Sequence, residues 1–224
     1  MNEKIKTLLT ILFVCIVSSL LSGCGSFEKT ISNETKGRTI SKESEGNYKD
    51  GKEDGKWTEW NENGQIKSEG NYIDGKREGK WTGWWDENGQ KQSERYYKDG
   101  KREGKWTEWY ENGQKMRETN YKDGKLNGKW TAWHENGQKQ SEIYYKDNRL
   151  DGKTTTWGVN GQKGNEGHYK DDKRVGKWTW WYENGQIKIE GKFKDGKEDG
   201  KWTAWHENGQ KHSNRNYKDG RQVD

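Results

Sequence analysis

Residues 104–115 read GKWTEWYENGQK, and this stretch recurs along the chain with small changes. The glycine of its Asn-Gly pair is found at Gly64, Gly89, Gly113, Gly137, Gly161, Gly185 and Gly209. The first interval is 25 residues and each of the others is 24 residues. A second glycine series, from Gly55 to Gly200, keeps the same step. A constant internal period indicates an array in which one supersecondary unit is repeated, here seven times.

Each unit has the composition of a β-hairpin. Asn-Gly between short segments rich in Trp, Thr and Tyr predicts a type I′ turn, which needs positive φ at both central residues. With Asn63-Gly64 as this turn, residues 50–55 form the longer return turn to the next unit. The predicted pairs across the first hairpin are Trp60 with Lys67, Thr58 with Glu69, and Trp57 with Gly70. The sequence therefore predicts an all-β fold, an elongated antiparallel sheet of about seven consecutive 24-residue hairpin repeats.

The composition excludes a large aliphatic core. Only 25% of the 224 residues are apolar, 35% are charged, and the mean hydropathy is -1.59, close to the range of disordered chains. However, the chain contains 15 Trp, 11 Tyr and 3 Phe, and it lacks proline, which would interrupt strand pairing. Aromatic rings bury 150–250 Å² each, so they can replace aliphatic residues in a core.

Side chains alternate between the two faces of a strand, so the aromatic residues divide into two sets. The first set is predicted to form a structural ladder of Trp57, Trp81, Trp106, Trp130, Trp178 and Trp202 with Tyr72, Tyr97, Tyr121, Tyr145, Tyr169, Phe193 and Tyr217. In the fifth unit Thr154 replaces the ladder Trp, and Asn148 and Asp172 replace turn glycines. We therefore expect local opening to begin in this unit.

The second set is a row of Trp60, Trp84, Trp109, Trp133, Trp157, Trp181 and Trp205, which is the candidate binding face. Two arrangements are compatible with the sequence. In the first, this row lies on the face opposite the ladder, and the single-layer sheet then has to curl or bind something to bury both faces. In the second, a β-bulge brings both rows to one side. A Thr in each unit faces a Glu in six of the seven units, and we expect cross-strand hydrogen bonds between them.

The N-terminal residues predict export and lipidation. Lys4 and Lys6 precede an apolar run that is too short to span a bilayer comfortably, and the run ends in Leu-Ser-Gly-Cys at Cys24. This ending resembles a bacterial lipobox, so residues 1–23 are predicted to be a lipoprotein signal peptide, 24–45 a lipidated flexible tether and 46–224 the array. The resemblance implies an extracytoplasmic protein anchored by lipid to the cell membrane or outer membrane. The alternatives are an uncleaved anchor, or ordinary cleavage that leaves the Cys24 thiol free.

The pattern D-G-K-x-x-G-K-W-x-x-W-x-x-N-G-Q resembles the bacterial MORN-variant repeat (the MORN_2 type), which occurs in YwqK-like antitoxins. Residues 48–220 match this pattern, and seven copies in register are a strong signal. The resemblance implies consecutive hairpins in an elongated sheet that binds proteins or membranes.

No candidate catalytic site stands out from the repeat. The array offers no Ser-His-Asp or paired-carboxylate arrangement, and His134 and His206 occupy a position that is variable among units. We therefore expect no enzymatic activity, no metal and no cofactor. The alternating charges disfavour nucleic acid as a partner.

The expected function is a protein- or membrane-binding scaffold at the cell envelope. The first alternative is a glycan or cell-wall binding module that uses the Trp60 row. The second is an antitoxin-like protein that neutralises a cognate effector.

Overall fold

The computed structural model describes residues 43–223, which form one antiparallel sheet of 17 strands without any helix. The strands are β1 (Ser44–Lys49), β2 (Lys52–Trp60), β3 (Ile66–Ile73), β4 (Lys76–Trp84), β5 (Lys91–Lys98), β6 (Lys101–Trp109), β7 (Lys115–Lys122), β8 (Lys125–Leu126), β9 (Gly128–Trp133), β10 (Lys139–Lys146), β11 (Arg149–Trp157), β12 (Lys163–Lys170), β13 (Lys173–Trp181), β14 (Ile187–Lys194), β15 (Lys197–Trp205), β16 (Lys211–Lys218) and β17 (Arg221–Val223). The predicted fold class is confirmed.

The strands follow one another as a meander, in which each pairs with the next along the chain. The short strands β8 and β9 both pair with β7, so together they act as one interrupted strand. All substantial contacts between strands are between such neighbours. Within residues 43–223 the sheet is therefore a single layer, with no second layer against either face. The predicted leader, Cys24 and nearly all of the tether lie outside the described residues.

The two kinds of turn have exchanged the roles that the sequence predicted for them. Asp50 and Gly51 have φ of 50° and 76°, and Lys49 pairs directly with Lys52, so the two-residue turn with positive φ at both positions is Asp-Gly. At the Asn-Gly end only Gly64 has positive φ. The prediction of a type I′ turn at Asn63-Gly64 was wrong, and so was the prediction of a longer return turn at residues 50–55.

The Asn-Gly turn is a wider turn closed by two hydrogen bonds. The Gly64 N–H donates to the Asn61 carbonyl, and the Asn61 N–H donates to the Gln65 carbonyl, each at 3.0 Å. A type I turn followed by a left-handed glycine gives this geometry and is usually accompanied by a bulge. The second unit has one more residue in this turn, because the Trp85 N–H donates to the Gln90 carbonyl.

The bulge next to this turn changes one predicted pair. Thr58 faces Glu69 and Trp57 faces Gly70, as predicted, but Trp60 faces Ile66 rather than Lys67. The additional residue is on β3, so alternation between Trp57 and Trp60 on β2 is undisturbed and these two residues lie on opposite faces. This decides between the two arrangements that the sequence allowed. We call the two sides the ladder face, which carries Trp57, and the Trp60 face.

Each ladder tryptophan lies across the backbone of the preceding strand. A side-chain carbon added at Gly70 would come within 2.2 Å of Trp81, so the missing side chain makes room for the indole. The Trp81 Nε1–H donates to the Asn71 carbonyl at 3.1 Å, and Tyr72 meets the indole edge-on with ring centroids 5.0 Å apart. The same close approach recurs for Gly46 with Trp57, Gly167 with Trp178, and Gly191 with Trp202.

The residue that faces each ladder tryptophan on the preceding strand controls how the indole packs against the neighbouring rings. Where that residue is glycine, the Trp ring and the neighbouring Tyr or Phe rings meet at 70–88°. Trp106 contacts Arg95 instead, and its angles to Tyr97 and Tyr121 are 55° and 54°. Glu118 pairs with Thr131 in the antiparallel register of β7 and β9, so the next position along β7, Thr119, faces Trp130. Trp130 has no ring neighbour of this kind within residues 43–223. A side chain beneath the indole thus weakens the ladder.

The fifth unit keeps the common register despite its substitutions. Thr154 replaces the ladder Trp and faces Ile143 on the preceding strand, where several other units have Gly. Thr154 is buried. Asn148 and Asp172 adopt positive φ of 70° and 65°. Their side chains accept hydrogen bonds from the backbone N–H groups of Leu126 and Leu150 at 2.7 and 2.8 Å. These contacts compensate in part for the lost aromatic ring. Early opening of this unit stays a prediction.

A ladder of asparagines joins the Asn-Gly turns of successive units. The Asn112 Nδ2 donates to the Glu135 carbonyl of the next turn, and its Oδ1 accepts from the Gln114 N–H, each at 2.9 Å. Equivalent bonds to the next turn are made by Asn63, Asn88, Asn136, Asn160 and Asn184. The Asn of the Asn-Gly pair therefore holds neighbouring units together as well as shaping its own turn.

Gly167→Thr tests the close approach of the indole to the backbone. We expect Trp178 to be displaced from the ladder, and the free energy of unfolding in urea to fall by about 1–3 kcal/mol, because the added side chain overpacks the site. Gly83→Ala is the control, because its added carbon would approach closely only the Ser93 hydroxyl, at 2.8 Å, which can rotate away. Ala132 and Ala204 occupy this register position opposite serines in other units. It should change stability by less than about 0.5 kcal/mol. Equal effects of the two substitutions would contradict the packing described here.

Asn112→Ala tests the asparagine ladder. Loss of two hydrogen bonds that involve backbone groups should lower the free energy of unfolding by about 1–2 kcal/mol. Asn208→Ala is the matched control, because Asn208 accepts from the Gln210 N–H but makes no hydrogen bond to a further Asn-Gly turn within residues 43–223. Its effect, measured by the same urea denaturation, should be no more than about half as large. A larger loss at Asn208 would show that the ladder does not couple the units.

Candidate functional site: the Trp60 face

The seven tryptophans of the candidate binding face lie in one row on the side opposite the ladder. Each ends a strand next to an Asn-Gly turn, and each is half-buried: Trp60, Trp84, Trp109, Trp133, Trp157, Trp181 and Trp205. Successive members of the row are two strands apart, which corresponds to about 9–10 Å. The row therefore forms a regular series of aromatic groups along the sheet that remains accessible to solvent.

A lysine from the preceding unit covers part of each central tryptophan. The Nζ of Lys91 lies 5.3 Å from the centroid of the Trp109 ring, and Lys115 lies 5.6 Å from the Trp133 ring. Lys139 over Trp157 and Lys163 over Trp181 repeat this contact at 5.8 and 5.5 Å. These are cation–π distances, so the ammonium groups stabilise the row and fill the space between its rings.

The same lysines hold the glutamates of the Trp60 face. Glu118 forms ion pairs with Lys115 and Lys105, each at 2.7 Å. Glu94 forms ion pairs with Lys91 and Lys80, each at 2.6 Å. Glu142 and Glu166 are held in the same way by a pair of lysines each. The central part of the face is thus a network in which every Glu lies between two Lys and one of these Lys contacts the next Trp.

These contacts lower the pKa of the central glutamates. Partial burial of Glu94, Glu118 and Glu142 acts to raise the pKa of each carboxyl, but hydrogen bonds from two lysines outweigh it. For Glu166 the hydrogen bond from Lys163 is the largest effect and again lowers the pKa. These four carboxyl groups are therefore ionised at neutral pH.

The predicted Thr–Glu pairs are neighbours in the sheet, and the expected hydrogen bond is present at the fifth unit. The Thr155 hydroxyl donates to Glu166 at 3.3 Å, and in the last unit the Thr203 hydroxyl donates to Asn214 at 2.9 Å. Thr107, Thr131 and Thr179 of the same row are buried. The contacts of these lysines were not predicted from the sequence, although a Lys follows Gln in four consecutive units.

In four units, the side chain that follows the row tryptophan contacts the next row tryptophan and fixes the spacing of the row. The Tyr110 hydroxyl donates to the Trp133 carbonyl at 2.9 Å, and the Tyr182 hydroxyl donates to the Trp205 carbonyl at the same distance. His134 Nε2 lies 3.2 Å from the Trp157 carbonyl, so this histidine belongs to the inter-unit contacts. Such hydrogen bonds hold neighbouring tryptophans at a fixed separation.

A groove of about 670 Å³ lies beside the centre of the row. Its lining includes Trp109 and Tyr96 together with Glu94, Glu118 and Lys105. Tyr96 is 40% exposed. The groove has aromatic walls and charged groups that are already paired with one another, which is the character of a recognition surface with a polar rim.

The described residues hold no arrangement that suggests metal chemistry or a membrane-spanning helix. Between residues 43 and 223, no three side chains of His, Cys, Asp or Glu come together to hold a metal ion. In the same range the chain forms no helix that could cross a lipid bilayer. His206 and His212 are paired with each other at 3.1 Å near the end of the array.

Six segments of the chain match the family model described as "MORN repeat variant", at residues 53–74, 77–99, 102–123, 126–147, 174–195 and 198–219. Together these segments make up more than half of the chain. The fifth unit is not matched, although it has the same hairpin and register as the others. No curated protein is detectably similar to the chain.

Acidification tests the Lys–Glu network. Because the folded-state pKa of these glutamates lies below the ordinary value of 4.5, their contribution to stability is present above pH ~5 and is lost as the pH falls through the folded-state pKa. We expect the thermal midpoint to fall steadily below pH ~5. Glu118→Gln should lower the midpoint at pH 7 and make this fall shallower.

The matched control is Glu111→Gln, which removes an exposed carboxyl from the Asn-Gly turn of the same unit. Its thermal midpoint, measured by tryptophan fluorescence from pH 7 to pH 3, should follow that of the unmodified chain. Identical profiles for the Glu118 and Glu111 substitutions would contradict the role of the network.

Proposed function

Because the chain belongs to the MORN repeat variant family, we propose that it is a non-catalytic binding protein whose contact surface is the Trp60 face. The observation that carries the proposal is the row of seven half-buried tryptophans, which faces solvent with no second layer of the described chain against it. Tryptophan is enriched among the residues that dominate protein–protein binding energy. A regular series of such groups suits an extended partner.

The partner we propose is a protein. Each central tryptophan carries a lysine ammonium near its ring, for example Lys115 at 5.6 Å from Trp133. A sugar ring that stacked on the indole would have to displace this lysine. A protein can instead contact the exposed part of the indole and pair its own charged groups with the Lys and Glu rows. An antitoxin-like role is the special case in which the partner is an effector protein.

The location we propose is the cell envelope. The support comes from the sequence alone, since Cys24 ends a short apolar run in the manner of a lipobox. Residues 24–45 would tether the array to the membrane. A coil of this length reaches on the order of 25 Å, far enough for both faces to remain accessible.

The mutual pairing of the charged groups between residues 43 and 223 supports a non-catalytic role. The residues of the Trp60 face pair with one another, as Lys105 and Lys115 do with Glu118, and recur with small changes from unit to unit. Catalysis needs reacting groups aimed at a single position. A surface of mutually paired side chains provides adhesion instead.

Trp109→Ala with Trp133→Ala tests the contact surface in the full-length chain. Cross-linking on intact envelopes, followed by mass spectrometry, should identify a protein whose capture falls at least about tenfold in this variant. The purified protein should then bind the unmodified chain saturably and bind the variant about tenfold more weakly, as expected when two central anchors are removed.

The matched control is Trp180→Ala, which removes a tryptophan from the ladder face. Ala132 and Ala204 occupy the same register position in other units, so this change should preserve the sheet and leave binding unchanged. Equal capture by all three proteins would contradict the proposal. A fluorescence shift with cell-wall fragments that is lost in the double variant would assign the row to a glycan. Liposome binding that persists in Cys24→Ala would assign it to lipid.

A further inference from the structure

The ladder face carries one cluster that does not repeat. Four arginines and one glutamate from adjacent strands β4 to β7 converge around Trp106: Arg77, Arg95, Arg102, Arg117 and Glu108. Other units carry Leu126 and Leu150 in place of Arg102, Ser93 and Ser141 in place of Arg117, and Ala132 and Ala204 in place of Glu108. The third unit thus breaks the symmetry of the array on the side opposite the Trp60 face.

Two of the arginines are held in fixed orientations by aromatic groups. The Arg77 guanidinium lies 4.3 Å from the Trp81 centroid and donates to the Tyr97 hydroxyl at 3.3 Å. The Arg102 guanidinium lies 4.8 Å from the Trp106 centroid and donates to the Tyr121 hydroxyl at 3.2 Å. Each guanidinium still has other N–H donors, since it carries five. Their charges are therefore positioned before any ligand arrives.

The other two arginines share one carboxylate. Glu108 accepts from Arg95 at 3.2 Å and also pairs closely with Arg117. The Nε of Arg95 is buried and has no hydrogen-bond partner within residues 43–223. A buried donor without an acceptor is costly, so a ligand oxygen at this position would be favourable.

The five charged side chains line one cavity of about 370 Å³, together with Tyr97, Trp106, Thr119 and Tyr121. Glu108 is the only carboxylate in the lining, so three positive charges of the cavity are not neutralised by it. This volume is in the lower part of the range for small-molecule sites. The cavity fits a small anion rather than a polymer segment.

We propose that this cavity binds a phosphoryl group. Arginine pairs bidentately with phosphate oxygens, and a group of converging arginines suits a ligand that presents several oxygens at once. A dianionic phosphate monoester compensates the excess charge better than a single carboxylate does. The proposal rests on the ladder face and does not depend on what the Trp60 face binds.

The tests use the full-length chain and substitutions that copy residues of sister units, so that folding is preserved. Arg117→Ser with Arg102→Leu should weaken binding of inorganic phosphate and glycerol 3-phosphate at least about tenfold in calorimetric titration at low salt. Glu108→Ala should strengthen binding several-fold, because it removes the competing carboxylate from Arg95 and Arg117. A purely electrostatic attraction to the whole surface would change in the same direction, but it would respond equally to the loss of an arginine elsewhere on the sheet.

The matched control is Arg174→Leu. Arg174 lies 4.9 Å from the Trp178 centroid in the sixth unit. Its replacement removes one positive charge and one cation–π contact, as Arg102→Leu does, but outside the cluster. It should leave phosphate binding unchanged. The proposal is overturned if the unmodified chain shows no saturable binding, or if Arg174→Leu weakens binding as much as the cluster substitutions do.

Vesicles distinguish two sources of the phosphoryl group. The full-length chain and the cluster variant carry the same N-terminal segment, so any difference between them reports the cavity. A lower association of the variant with vesicles of phosphatidylcholine and phosphatidic acid, whose headgroup is a phosphate monoester, but not with vesicles of phosphatidylcholine alone, would identify a lipid headgroup. A loss confined to the soluble phosphates would identify a small phosphate ester. Equal behaviour of both chains in every arm would overturn the proposal.

Discussion

The indoles of Trp57, Trp81, Trp178 and Trp202 lie on the backbone of the preceding strand, and the rest of the structure depends on this contact. A single-layer sheet has no second layer to provide a core, so its apolar area must be buried along the sheet. Trp81, Trp106 and Trp178 are only 4%, 8% and 2% exposed, although they lie on an open face. Each is covered by aromatic groups of adjacent strands, so no hairpin can bury its ring alone. The repeat is therefore a physical requirement of the fold.

The period and composition of the sequence were sufficient to predict the class of fold and much of the register. Thr58 and Trp57 have the predicted partners, because the spacing between the two strands of a unit is short. The turn types were not predictable in the same way, since Asn63-Gly64 and Asp50-Gly51 both satisfy the preference for left-handed backbone. The difference lies in how many residues the hydrogen bonds enclose, which composition does not determine. The bulge at Lys67 is likewise a consequence of that turn.

The position of the two tryptophan rows followed only from the structure. Trp57 and Trp60 are three residues apart, which places them on opposite faces if the strand is regular and on one face if it is bulged. The bulge is on the partner strand, and no residue type in the sequence marks that choice. The lysines over the rings were within reach of sequence reasoning. The arginine cluster was not, because its four members come from four strands and only the register brings them together.

The two faces of the sheet thus have different properties. The Trp60 face repeats one network of Trp, Lys and Glu and suits an extended partner, whereas the arginine cluster is a single cavity for a small anion. Both rest on the claim that the two tryptophan sets lie on opposite sides of one layer. The most direct test is hydrogen exchange of the indole N–H groups, resolved by NMR. We expect slow exchange for Trp81, Trp106 and Trp178, whose indoles donate to backbone carbonyls, and fast exchange for Trp109 and Trp133. Similar rates for both sets would show that the two sets do not lie on opposite faces.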